Sequence, residues 1–177
     1  MQLIIIHHFL PFSQYNSLKD ALCKEQFSSK SSDLFDFFQT CDLYTAKQKK
    51  LREFQRFLST KEMHAFVFSL TGIKTKGQAD AFGSLYADTN YLLPHDDRLE
   101  TRKVAFILYL STLRLGDGGE LCFFSADKNN NPVKISKIYR PQENTFLLFP
   151  VSKKSWHCVK EVTVNTKRYA IGGWFHG

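Results

Sequence analysis

The sequence has no apolar run long enough to cross a bilayer. The longest one beside its central histidine, VAFILYL (104–110), falls far short of the roughly 20 residues a membrane helix needs. Its four cysteines, Cys23, Cys41, Cys122 and Cys158, include no CxxC pair. Scattered thiols in a chain that can bury its own core read as reduced and cytoplasmic, not as a disulfide framework. A basic leader is missing too: the short apolar start MQLIIIHHFLPF is interrupted by His7 and His8, so no signal peptide is expected. Repeats, low-complexity segments and linkers are absent, and 177 residues suit a single domain. Acidic residues are outnumbered, 17 against 24 Lys and Arg, which leaves a net charge of +7. The basic runs KQKKLR (47–52), KTK (74–76) and KK (153–154) suit RNA or a ribosome-associated role, or simply a solvated helix face. No nucleic-acid motif and no aromatic-basic stacking motif accompanies them.

What the sequence has in quantity is phenylalanine, 17 in all, enough apolar volume for a core without staples. Its hydrophobic period changes near residue 75. Residues 1–75 read mainly as helical support: a short amphipathic helix over 14–25, a second placing Leu51, Phe54, Phe57 and Leu58 at helical spacing, and a third carrying Phe66, Phe68 and Leu70. Ser59 or Thr60 suits the cap of the third. From residue 76 onward the chain breaks into short β-rich runs, among them AFGSLYA, VAFILYL, GELCFFS, TFLLFPV, HCVKEVTV and RYAIGGWF. Turn chemistry such as GDGG (116–119) and NNNP (129–132) separates them. This predicts a mainly β (α+β) domain, a barrel, jelly roll or sandwich, with the helices packed outside.

The charged cluster His95-Asp96-Asp97 stands directly before the core-like run. In an extended segment His95 and Asp97 share a face while Asp96 points away. His157, in KKSWHCVKEV, begins another β-like run and supplies a third ligand. Two imidazoles and one carboxylate form the facial triad that suits non-haem Fe(II). An H-x-D pair alone is equally compatible with a turn held by local hydrogen bonds. Arg168 lies inside a run that reads as buried, where a guanidinium needs an anionic partner such as a carboxylate. Tyr109 is the one polar tip within VAFILYL and can donate to the same group. Taken singly, Tyr109 also reads as a core aromatic and Arg168 as a surface ion-pair residue.

The order H-x-D, a long gap, H and then R resembles the 2-oxoglutarate- and Fe(II)-dependent dioxygenases. HDDRLETRKVAFILYLS, GDGGELCFF, NTFLLFPVSKKSWHCVKEV and RYAIGGWFHG are similar to the catalytic domain of the ribosomal prolyl hydroxylases, and the N-terminal half fits as well. The resemblance implies a double-stranded β-helix (jelly-roll, cupin-like) and a single domain over 1–177, with its catalytic core at 76–177. It assigns His95, Asp97 and His157 to Fe(II), and Arg168 and Tyr109 to the distal carboxylate of 2-oxoglutarate. Leu92 falls on the pocket wall and Trp174 near the substrate entrance. Dioxygen is the second co-substrate, and ascorbate an accessory reductant.

The implied activity is hydroxylation of a proline in a small-subunit ribosomal protein, in the cytoplasm, with no membrane partner and no requirement for nucleic acid. The eukaryotic members carry a second, non-catalytic domain of the same fold, whereas this sequence runs to Gly177, so what that domain contributes to partner choice is not expected here and the substrate stays open. Other readings are a dioxygenase acting on another protein, RNA or a small molecule, and a cupin-like binding module without activity. Phe106, Leu108, Phe123, Leu148 and Phe149 are candidates for an apolar wall around the iron. Residues 72–90 read as a mobile substrate loop or as a connector with an edge strand. Asp80, Asp88 and Asp117 are candidate docking acids for a basic substrate.

Overall fold

The computed structural model of the chain describes residues 2–99, 101–163 and 165–177. β1 (Ile4–His7) is followed by α1 (Phe12–Cys23), β2 (Ser28–Ser32) and β3 (Phe35–Asp42). Next come α2 (Lys49–Leu58) and α3 (Lys61–Thr71). The remaining strands are β4 (Lys76–Ala87), β5 (Tyr91–His95), β6 (Arg102–Tyr109), β7 (Leu121–Ala126), β8 (Pro132–Tyr139), β9 (Thr145–Pro150), β10 (His157–Val159) and β11 (Lys167–His176). No described helix is long and apolar enough to cross a membrane.

The helices form for the reasons their sequence suggests, with small shifts of face. In α2 the buried stripe is Leu51, Phe54, Gln55 and Leu58, at the i, i+3, i+4, i+7 spacing of one helix face, while Phe57 is largely exposed. In α3 the buried positions are Met63 and Val67, with Phe66 and Leu70 packed beside them and Phe68 turned outward. Thr60, not Ser59, caps α3: its hydroxyl accepts from the Met63 N–H at 3.2 Å. Gly72 ends the helix at φ 70°, a left-handed cap that glycine adopts without a Cβ clash.

The strands form one strongly curled antiparallel sheet in the order β1-β9-β6-β11-β4-β3-β5-β10-β7-β8, with β2 hydrogen-bonded to β3. Because strand side chains alternate, each half of the sheet has two working faces. One carries Phe106, Leu108, Phe146, Leu148, Ile171 and Phe175 against the three helices. The other carries Ala105, Tyr109, Leu147, Phe149 and Ala170, which meet Phe37, Tyr86, Leu121, Phe123 and Val159 across the interior. The functional residues lie on this second face.

Two sequence expectations are corrected here. Residues 28–42 form a hairpin, β2 and β3, inside the segment read as mainly helical; the serines of β2 are all exposed, so that strand has no apolar alternation to read. Residues 76–87 are neither a loop nor an edge strand. β4 pairs with β11 along almost its whole length and with β3 on its other side, so it is central to the sheet.

Candidate active site

β5 ends at His95, and the chain then turns sharply, with Asp97 at φ 61°. Aspartate tolerates this left-handed conformation better than most residues. Strand alternation is therefore not what joins His95 to Asp97; the turn is. Asp97 Oδ1 lies 3.3 Å from His95 Nε2, and its Oδ2 lies 3.4 Å from His157 Nε2. Asp96 points elsewhere and pairs with Arg98 at 2.6 Å. His157 arrives on β10, directly opposite His95 in the β5–β10 register. The three residues each offer a ligand atom within 4.8 Å of the others.

The hydrogen bonds of the two rings fix what they present to one another. His95 Nδ1 lies 2.9 Å from the Leu93 carbonyl, and His157 Nδ1 lies 2.7 Å from that of Ser155. A carbonyl only accepts, so Nδ1 carries the proton and each neutral ring turns an Nε2 lone pair toward the Asp97 carboxylate. Three acceptors converging on one point repel unless a cation lies among them. With protons alone, burial disfavours a charged His95, but its bond to Asp97, the charges of Asp97 and Asp96 and its bond to the Leu93 carbonyl together outweigh that and raise its pKa. Burial likewise opposes a charged Asp97, yet the bonds from His157 and His95 hold the carboxyl well below its usual range. A divalent ion resolves the same conflict without protons. Two imidazoles and a carboxylate on one side of an ion are the donor set of a facial triad, so the residues present fit Fe(II).

Arg168 sits on β11 with only 2% of its surface exposed. Its Nε donates to the Gly119 carbonyl at 3.0 Å and its Nη2 to the Tyr109 hydroxyl at 3.4 Å. The guanidinium lies between two rings, 4.9 Å from the centroid of Tyr86 and 5.1 Å from that of Tyr109. Among the described residues no carboxylate comes within ion-pair distance of it. A buried charge without a counter-ion is costly, and an anion beside this guanidinium would remove that cost. Burial pushes the Tyr109 phenol up to about 12, outweighing the opposite pull of Arg168. The hydroxyl therefore stays protonated: it accepts from Arg168 and keeps its own proton to donate.

A cavity of about 620 Å³ connects these two clusters. Along β11 the alternate residues Arg168, Gly172 and Trp174 line it, spanning roughly 20 Å at strand rise, from fully buried Arg168 to half-buried Trp174. Leu92, half-buried on β5, lines the cavity wall. Trp174 stands opposite Asp80 in the β4–β11 register, and its indole Nε1 has no partner among the described residues. The Arg102 guanidinium lies 3.3 Å over the Trp174 ring, and its Nη1 donates to the Asp97 carbonyl at 3.4 Å. Asp80 lines the cavity. Asp88 and Asp117 do not; they brace turns by accepting from the N–H groups of Asn165 and Arg114.

The expected apolar wall is half right. Phe149 and Phe123 flank His157, at ring distances of 4.9 and 5.9 Å. Leu108 and Leu148 belong to the helix-side core, because alternation turns them away from the cavity; Phe106 packs there too while reaching the cavity lining. Sequence reasoning missed Tyr86, Arg102 and the Gly119 carbonyl. Tyr86 offered a signal, its even spacing with Phe82 and Ser84 in β4. Arg102 has no local pattern that sets it apart from the other cations of a basic chain, and a backbone carbonyl has no sequence signal.

The sequence profile of the 2OG-Fe(II) oxygenase superfamily matches residues 82–176. The prolyl 3-hydroxylase OGFOD1 of Xenopus laevis is 35% identical over 176 residues, covering 98% of this chain and 34% of its own length. Sudestada1, a prolyl 3-hydroxylase of Drosophila melanogaster, is 35% identical over 164 residues, covering 87% of this chain and 30% of its own. The chain thus spans about a third of the length of these curated relatives. Among solved structures, a prolyl-4-hydroxylase of Pseudomonas putida superposes with a TM-score of 0.75 at 18% identity, covering 98% of this chain and 91% of the other. A prolyl hydroxylase of Trichoplax adhaerens, in complex with a peptide fragment of a hypoxia inducible factor, gives 0.76 at 17%, covering 98% and 83%. At such identities the likeness is one of fold: the curled sheet is a double-stranded β-helix.

Proposed function

The chain belongs to the 2OG-Fe(II) oxygenase superfamily, and from that membership we propose that it is a prolyl hydroxylase whose catalytic domain spans residues 1–177. The observation that carries the reading is the pairing, within one cavity, of the His95, Asp97 and His157 cluster with a buried arginine that has no counter-ion among the described residues.

His95, Asp97 and His157 hold Fe(II). When bound, the ion supplies the dioxygen chemistry that couples decarboxylation of 2-oxoglutarate to hydroxylation of a C–H bond. The protein does the rest. The Leu93 and Ser155 carbonyls keep both imidazoles in the tautomer that presents Nε2. Arg168 binds the distal carboxylate of 2-oxoglutarate, and Tyr109 donates its remaining proton to it. Phe123, Phe149 and Leu92 keep the metal side dry. The mouth beside Trp174 and Asp80 admits the substrate chain.

The curated relatives named prolyl 3-hydroxylases support proline as the target residue. We assign the substrate to a small-subunit ribosomal protein, met in the cytoplasm as an exposed loop, with dioxygen as co-substrate and ascorbate as accessory reductant. A basic enzyme and a basic ribosomal protein repel at long range, so docking rests on shape and on the mouth carboxylate of Asp80. The test is peptide mass spectrometry on ribosomal proteins from cells with and without the gene. One proline carrying an added oxygen only when the gene is present is the expected result. Succinate production by the pure protein with no differing ribosomal proline leaves a dioxygenase and removes the ribosomal substrate.

A further inference from the structure

Two chain segments carry the ligand cluster: the turn after β5, with His95 and Asp97, and the start of β10, with His157. They are distant in sequence, and one fully buried residue, Ser155, bonds to both. Its carbonyl accepts from His157 Nδ1 at 2.7 Å. Its hydroxyl lies 3.0 Å from the Asp96 carbonyl, the oxygen of the peptide that leads into Asp97.

A serine hydroxyl has one proton to give. Two carbonyls are within its reach, that of Asp96 at 3.0 Å and that of Ser152 at 2.8 Å. The Ser152 carbonyl already accepts from the Ser155 N–H at 3.1 Å, and the Ser152 N–H donates to Ser155 Oγ at 3.0 Å. The Asp96 carbonyl has no other donor among the described residues. Every group of the cluster is satisfied only when the proton goes to Asp96.

The two ends of this clasp differ in firmness. Ser155 is on the rigid side. It closes a turn with Ser152, and its neighbour Trp156 is anchored twice, its carbonyl by the Phe124 N–H at 2.9 Å and its indole N–H on the Asn130 carbonyl at 2.6 Å. The turn through Asp96 and Asp97 is the adjustable side. Asp97 sits at φ 61°, a conformation that costs any residue with a Cβ. The other bonds that brace this turn are local or long: Asp96 Oδ1 accepts from the Arg98 N–H at 3.2 Å, and Arg102 Nη1 donates to the Asp97 carbonyl at 3.4 Å.

We propose that Ser155 is a positioning residue for the metal centre: its hydroxyl holds the Asp96 carbonyl and so keeps the Asp97 carboxylate aimed at the two imidazoles before an ion binds. The inference rests on the reading of His95, Asp97 and His157 as metal ligands. Without the clasp the inward turn is populated in only a fraction of the metal-free molecules, and the apparent affinity falls by that fraction. Affinity is lost although no ligand has been removed.

The test is calorimetric titration of the metal-free protein with Ni(II), which resists oxidation in air and which imidazoles hold more tightly than Fe(II). Thermal melts of the metal-free and loaded forms accompany it. Ser155→Ala should bind Ni(II) about tenfold more weakly than wild type. Ser152→Ala removes a hydroxyl of the same turn, one that accepts from the Lys154 N–H, and should bind as wild type does. A serine with only a structural role would lower both melting temperatures equally and leave affinity alone; the proposed role shrinks the rise that Ni(II) produces. In an Asp97→Ala background, where the two histidines bind the ion alone, adding Ser155→Ala should change affinity less than about twofold. Unchanged affinity in Ser155→Ala, or an undiminished loss once Asp97 is gone, overturns the clasp and leaves the ligands assigned. A wild type that takes up no Ni(II) overturns the metal reading, and the proposal with it. Should Ser155→Ala not fold, Ser155→Cys, close in volume and a weak donor, carries the same expectation.

Discussion

Nη2 of Arg168 lies 3.4 Å from the Tyr109 hydroxyl, and both side chains are buried. The hydroxyl accepts from the arginine, so its own proton is free for a second acceptor. Arg168→Lys is expected to weaken 2-oxoglutarate binding about a hundredfold, or about 2–3 kcal/mol, because an ammonium cannot reproduce the two parallel hydrogen bonds. Tyr109→Phe removes one neutral donor and should cost about 1 kcal/mol. Calorimetry on both variants, with Fe(II) affinity as the control, checks the assignment. Unchanged 2-oxoglutarate binding in both would falsify it.

Asp97→Asn should abolish most Fe(II) binding, since an amide brings no charge to the two imidazoles. Asp96→Asn breaks a partly exposed pair with Arg98, worth about 1 kcal/mol or less, and should leave metal affinity nearly intact. Metal titration separates the two, and equal losses count against the turn that aims Asp97 inward.

Gly119 holds φ 69°, and a Cβ there would stand 2.7 Å from Leu113 Cδ1 and 3.1 Å from Arg168 Cδ. Gly119→Ala therefore combines backbone strain of about 1 kcal/mol or more with pressure on the arginine whose Nε it holds. The expected outcome is weaker 2-oxoglutarate binding at unchanged Fe(II) affinity. Loss of both together points to general misfolding instead.

Tyr15 donates to Glu143 Oε2 at 2.9 Å, and this bond holds the Glu143 carboxyl below its usual range. A carboxyl depressed in the folded state stabilises the fold above its unfolded pKa, near 4.3, and that stability is lost as pH falls through the folded value. Tyr15→Phe should thus be less stable than wild type by about 1 kcal/mol at pH 7, a modest figure because Glu143 is half exposed. The gap should narrow below about pH 4. Thermal melts of both proteins across that range measure it.

Much of the site was legible because its chemistry is tied to residue types that few other roles require. His95, Asp97, His157 and Arg168 could be named from kind and order, and the structure brings the side chains of His95, Asp97 and His157 together. The route differs: strand alternation predicts a shared face for His95 and Asp97, whereas Asp97 reaches its place through a left-handed turn no local pattern announces. The hairpin of β2 and β3 was hidden because exposed serines carry no hydrophobic period. Arg102 was hidden because what distinguishes it is the indole beneath it, supplied from 72 residues further along the chain.

With Arg168 as the proposed anchor of the 2-oxoglutarate carboxylate, the endurance of the fold becomes tied to metabolism. A folded chain that holds an anion there is stabilised relative to one that does not, by about 2.7 kcal/mol when the ligand stands a hundredfold above its Kd. Cells poor in that dicarboxylate keep more of this protein in its opened form, where proteases act. Scarcity of the co-substrate would then lower not only turnover but the number of molecules left to turn over.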